Sequence, residues 1–175
     1  KLSVKRGAFY LQISYFRKMK FQFWAIGKDH ESYVKPGVDE FTKRIANYYP
    51  VKWNILPVPK NAGALSEEML KRKEAELVLA TLQKEDYLVA LDEKGKQVSS
   101  QGLSTFLQLR ANESQKQLIF LIGGAYGIDE MVLKRANYTW SLSQLTFPHQ
   151  LVRLILCEQV YRACTILRNE KYHHS

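Results

Sequence analysis

The sequence predicts an α/β fold: a mostly parallel sheet with helices on both faces. Two observations carry that expectation. Short apolar runs rich in β-formers alternate with longer segments whose apolar residues recur every three or four positions, the order produced when each strand is followed by a crossover helix. The run Gln117–Ile122 is also apolar at nearly every position, as befits a strand covered from both sides. With 175 residues, 46% of them apolar, the chain is long enough for one domain with a full core. Neither an internal repeat nor a dividing linker is visible.

Taken in order, Phe21–Ile26 reads as the first strand. Pro36 suits the first position of a helix, and Val38, Phe41, Ile45 and Tyr48 then mark one apolar face. Val51–Val58 is the second strand, ended by Pro57 and Pro59. Asn61-Ala62-Gly63 is a loop. Ser66 is placed to cap a helix running to about Gln83, with Glu67 and Glu68 favourable in its first turn and Leu70, Leu77 and Leu82 facing inward. Tyr87–Leu91 is the third strand and Asp92–Lys96 a turn. A helix over Ser100–Arg110 leads to the fourth strand, Gln117–Ile122. The loop Gly123–Gly127 precedes a short helix, Asp129–Ala136, and a fifth strand, Tyr138–Leu142. Pro148 opens a last helix over about residues 149–166.

Net charge is +9, and five of those charges lie in the acid-free stretch Lys1–Lys18, leaving +4 for everything from Met19 onward. A basic balance favours anionic partners, nucleic acid first, although the core supports this only modestly. We read residues 1–18 as a basic leader outside the fold, with a basic RNA-binding arm as the alternative, and residues 19–175 as a single domain. The leader lacks both the long apolar stretch and the small-residue cleavage site of a signal peptide. Gln117–Ile128, the longest uncharged apolar run, has 12 residues and three glycines, well short of the roughly 18 that a membrane span needs. Cys157 and Cys164 are the only cysteines. On one helix they stand about 10 Å apart along its axis, too far for a disulfide. A reducing cytoplasm follows as the default setting.

Two segments stand out chemically. Leu121-Ile122-Gly123-Gly124-Ala125-Tyr126-Gly127 puts glycines at the carboxyl end of a strand, where a ligand can approach the backbone closely. It matches neither the Gly-x-Gly-x-x-Gly dinucleotide fingerprint nor a P-loop, and by itself it is equally a tight strand-to-helix turn. Leu142–Gln150 runs from a strand through a polar loop into a helix. His149 falls in that helix's first turn, where an imidazole either orients a ligand and accepts its proton or simply packs locally. Along the last helix Arg153, Glu158, Tyr161 and Arg162 share an element with an apolar stripe, which suits an interface, an anion site or a solvated face. There is no spaced His/Asp/Glu cluster for a metal, no Gly-x-Ser-x-Gly elbow, and no cysteine with an evident base partner.

Asp92-Glu93-Lys94-Gly95-Lys96, Ile122–Gly127, Leu142–Arg153, Glu158-Gln159-Val160-Tyr161-Arg162-Ala163 and the terminal Tyr172-His173, in this order and spacing, together resemble one family. It is the bacterial 23S rRNA pseudouridine N3-methyltransferases of the SPOUT class, the ribosomal large subunit methyltransferase H family. The likeness covers Met19 to His174. It implies a C-terminal trefoil knot, which no pattern argument would propose because knots are so rare. It implies S-adenosylmethionine as methyl donor and no metal, a homodimer, and a pseudouridine of 23S rRNA in the assembled ribosome as substrate.

Carried over by position, the resemblance assigns Leu91, Gly123, Gly124 and the loop Leu142, Ser143, Gln144, Leu145, Thr146 and Phe147 to cofactor binding. His149 and Arg153 fall near the transferred methyl. Tyr172 and His173 fall in a tail that completes the partner subunit's active site. In this reading His149, or else His173, assists removal of the N3 proton, Arg153 stabilises charge on the neighbouring carbonyl oxygens, and Tyr172 stacks on or bonds to the base. Two other classes compete: a non-catalytic ribosome- or RNA-binding protein of the same fold, and a nucleotide enzyme using the glycine loop for phosphates.

Overall fold

The structure, a computed structural model, describes residues 19–172. The leader, 1–18, and His173 lie outside the described residues. Five strands form one sheet: β1 (Lys20–Ile26), β2 (Val51–Leu56), β3 (Tyr87–Gln97), β4 (Gln117–Ile122) and β5 (Tyr138–Ser141). Their order across the sheet is β2-β1-β4-β3-β5, and every pairing is parallel. Between them run α1 (Lys35–Ile45), α2 (Glu67–Thr81), α3 (Ser100–Asn112) and α4 (Glu130–Arg135), and α5 (His149–Leu167) follows β5. The alternation read from sequence is therefore the observed one.

Strand alternation sorts the core into two layers. Phe21, Phe23 and Ala25 of β1 and Leu118, Phe120 and Ile122 of β4 face one side, packed against Val38 and Ile45 of α1, Leu103 and Leu107 of α3, and Leu156, Cys157 and Val160 of α5. Trp24 and Ile26 of β1 and Ile119 and Leu121 of β4 face the other, against Ala75 and Val78 of α2 and Val132 of α4. β4 lies between β1 and β3 and is buried from Leu118 to Ile122. Leu70 is buried as expected, while Leu77 and Leu82 pack only at the margin of the second layer.

Local signals act where the sequence places them. The Ser66 side chain accepts from Met69 N at 3.3 Å, and Asp129 caps α4 by accepting from Met131 N at 2.8 Å. Pro36 lies in the first turn of α1. Cys157 and Cys164 are both buried and free, and burial pushes the Cys157 thiol up to about 12. Among the described residues no helix is long and apolar enough to cross a membrane.

One element departs from expectation. Residues 92–96, read as a turn, continue β3. The strand pairs with Trp140 of β5 at Leu91 and again at Lys96, so Asp92–Gly95 form an excursion between two paired stretches. The excursion closes because Gly95 lies against the β5 backbone. A Cβ there would stand 2.7 Å from the Trp140 carbonyl carbon and 2.8 Å from that of Thr139. Gly95→Ala is accordingly expected to lower stability by about 1–3 kcal/mol, read from the denaturant midpoint. Gly63→Ala, where a Cβ meets nothing within 4 Å, is the control and should shift it little.

Candidate active site

Parallel sheets bind ligands at the carboxyl ends of their strands, because the loops there converge and the following helices present free N–H groups. In this chain the convergence encloses a cleft of about 1160 Å³. Its walls are three loops: the β3 excursion, the β4–α4 glycine loop and the β5–α5 loop, residues 142–148. The first and third are tied together where Thr146 Oγ1 donates to Glu93 Oε2 at 3.2 Å. The third also holds itself in shape. Ser141 Oγ donates to Ser143 O at 2.8 Å, and Leu145 N donates to Ser143 Oγ at 3.0 Å.

The glycine loop is a tight turn as well as a wall. Gly124 and Gly127 form an isolated bridge, with Gly127 N donating to Gly124 O at 3.2 Å, and Gly127 takes a φ of +82°. Gly123 is buried, and a Cβ on it would stand 2.7 Å from Ile128 Cγ1. It therefore packs the turn and does not line the cleft, whereas Gly124 does.

Of the residues assigned to the cofactor, Leu91, Gly124, Leu142, Ser143, Leu145, Thr146 and Phe147 line the cleft together. Gln144 is exposed and lies outside the lining, beside Gly123 in that respect. His149, exposed at the first position of α5, lines it too, with Val152 one turn further on. Sequence reasoning missed Trp140, Ile128 and Lys71, which complete the walls.

It also missed Glu74, which lies under the glycine loop. The signal was available: Glu74 falls four residues after Leu70 and four before Val78, on the buried face of α2. Burial pushes its carboxyl above the ordinary carboxylate value.

Arg153 and Tyr172 are placed elsewhere. Arg153 is fully buried and reaches over the end of β1: its Nη1 donates to Lys28 O at 2.9 Å and lies 3.2 Å from His30 Nδ1, while its Nε and Nη2 have no partner. Within the single chain it faces the β1–α1 loop and not the cleft, and the solvated-face alternative for it is removed. The same loop is fastened by Gln150, whose Oε1 accepts from Glu31 N at 3.2 Å and whose Nε2 donates to Asp29 O at 3.1 Å. Tyr172 folds back on α5. Its hydroxyl donates to Glu158 Oε1 at 3.2 Å, its ring meets Tyr161 at 4.8 Å, and the Arg162 guanidinium, itself paired with Glu158, lies 4.9 Å over it.

Known proteins place this arrangement. Residues 19–173 match the family model described as "Predicted SPOUT methyltransferase", and the chain belongs to that family. Among its relatives is the ribosomal RNA large subunit methyltransferase H of Cytophaga hutchinsonii, 47% identical over 156 residues that cover 89% of this chain and all of that one. The protein of the same name from Parabacteroides distasonis is 46% identical over 156 residues, covering 89% and 99%. That from Clostridium botulinum strain Kyoto is 40% identical over 160 residues, with the same two shares.

The β1–α1 loop yields a pH prediction. Burial, then the Arg153 charge, lowers the His30 pKa below 6.5. The unfolded chain thus takes up its proton first, so stability is undiminished above pH 6.5 and falls as pH drops below it toward the folded value. Thermal melts across this range should show the loss, and His30→Gln should flatten it. An identical slope in the variant would mean that another group is responsible.

Proposed function

We propose that this chain is an S-adenosylmethionine-dependent methyltransferase that methylates N3 of a pseudouridine in 23S rRNA of the assembled ribosome, in the cytoplasm. The observation that carries the reading is the cleft itself: seven of the nine residues assigned to the methyl donor line one cavity with His149, in a chain of which 89% is matched by relatives named as rRNA methyltransferases.

The donor set fits such a ligand. Leu91, Trp140, Leu142 and Phe147 offer apolar surface for a planar base, and Gly124 gives backbone access. Asp92, Glu93 and Glu130 supply negative charge that Lys71 and Lys94 of the same lining offset in part. When bound, S-adenosylmethionine supplies a methyl group already activated by its positive sulfur. The protein's task is then orientation and proton removal. Methylation at N3 would require the N3 proton to leave. His149, exposed at the cleft wall, is assigned to assist that departure, with His173 the second candidate. Arg153 is assigned to stabilise charge on the neighbouring carbonyl oxygens, although within the single chain it faces the β1–α1 loop.

The finer assembly belongs to the same reading. A C-terminal trefoil knot belongs to this reading through the family match over residues 19–173. A homodimer is supported by Tyr172, which rests on its own α5 outside its own cleft. A tail that serves catalysis therefore serves a second chain's cleft. Recognition rests on the ribosome's shape together with RNA contacts.

The test is incubation of the protein and radiolabelled S-adenosylmethionine with ribosomes from a strain lacking the activity, followed by mapping of the label. Transfer to one pseudouridine of 23S rRNA is expected, faster on ribosomes than on naked fragments. Absence of transfer leaves the binding-protein alternative in possession. His149→Ala should slow single-turnover transfer by roughly 10²-fold and alter its pH profile. A variant with the original rate and profile would remove the histidine from proton transfer.

A further inference from the structure

Glu74 is the least expected residue of the interior. It is 4% exposed. Among the described residues it makes no hydrogen bond or ion pair, and its oxygens are not among the fully enclosed unpartnered atoms, so they keep access to the space beside them. Both its oxygens point at Gly124: an ideal Cβ on that glycine would stand 2.5 Å from each. The carboxyl group thus lies against Gly124, one of the two glycines, with Gly127, that line the cleft. A small void beside it is lined by Lys71, Gly127, Ile128 and Asp129. Lys71 on α2 and Asp129 at the start of α4 are the charged groups that face this void, and neither forms an ion pair with Glu74 within 4 Å. Glu130 of α4 and Lys71 line the cleft on the other side of the loop.

A buried carboxylate with no counter-ion, separated from a ligand cleft by one glycine, is completed by a cation bound in that cleft. We propose that Glu74 is a specificity residue of this site, favouring the positively charged sulfonium of the methyl donor over the neutral thioether left after transfer. This rests on the methyl-donor reading above. The chemistry is Coulombic. The two ligands differ by one methyl group and one positive charge, and in a partly desolvated site the charge difference dominates. Glu74 touches neither reacting atom; it acts through the field it sets beneath Gly124.

Calorimetric titration of the purified protein with S-adenosylmethionine and with S-adenosylhomocysteine tests this. Glu74→Gln, nearly isosteric, should weaken the sulfonium ligand by roughly tenfold and leave the thioether little changed. Glu74→Asp should keep part of the preference. An equal loss for both ligands means that Glu74 only shapes the loop and overturns the proposal, as does no loss for either. A wild-type chain that binds neither ligand overturns the methyl-donor reading first.

Discussion

The cleft exists because backbone lies against backbone at the carboxyl edge of the sheet. Gly95 brings the β3 excursion to within a van der Waals contact of the Thr139–Trp140 main chain, where any side chain would collide. That contact lets one strand pair twice with Trp140 and throw Asp92–Gly95 outward as a wall. The opposite wall turns at Gly127 and leans on Glu74 through Gly124. Between these two approaches the β5–α5 loop closes the cavity, held by Ser143 and by the Thr146–Glu93 bond. The walls are therefore set mainly by packing and by short-range hydrogen bonds within loops. That favours a site formed before a ligand arrives.

α5 couples this site to the rest of the molecule. It begins in the cleft wall with His149, then buries Arg153, Leu156, Cys157 and Val160 against the first core layer. Successive residues of its first turns thus serve different ends. His149 and Val152 face the cavity, while Gln150 and Arg153 fasten the β1–α1 loop by four polar contacts. Among the described residues Arg153 has two buried nitrogens, Nε and Nη2, without a partner, and burial pulls its guanidinium below its usual value against the raising influence of Asp29 and Glu31. A helix whose buried face carries such an arginine is specified in register, because a shift by one residue would strand the charge in the core.

How much of this was legible follows from the range of each signal. Strands and helices were readable because their apolar periods and start signals are local: Ser66 and Pro36 act within a turn of where they stand. The β3 excursion was not. Asp92-Glu93-Lys94-Gly95-Lys96 has a turn's composition, and only its pairing with a strand some forty residues later makes it a strand, through a contact no local pattern records. Within the site, motif order named Leu91 and most of the β5–α5 loop, which the fold brings to one cleft. Gly123 packs the turn instead of lining it, and in sequence a glycine that packs a turn looks like one that lines a cleft. Arg153 shows the same limit at a charged residue. Its place on a helix beside an apolar stripe was readable, but which neighbour it reached depended on the β1–α1 loop, over a hundred residues earlier.

Glu74 illustrates how such residues are found. At the spacing of Leu70 and Val78 a leucine would pack without cost. A carboxyl there loses solvation, and its raised pKa gives the sign of the consequence. The folded protein tolerates it best below the ordinary carboxyl range, and loses stability as pH rises toward the raised value, because the unfolded chain ionises first. At neutral pH the fold therefore carries a destabilising group directly behind its ligand wall. Positions that break the local rule without a compensating contact inside the chain are where function is sought. A mere filler of that space would not need to be ionisable, whereas a group awaiting a positive charge from outside the fold would.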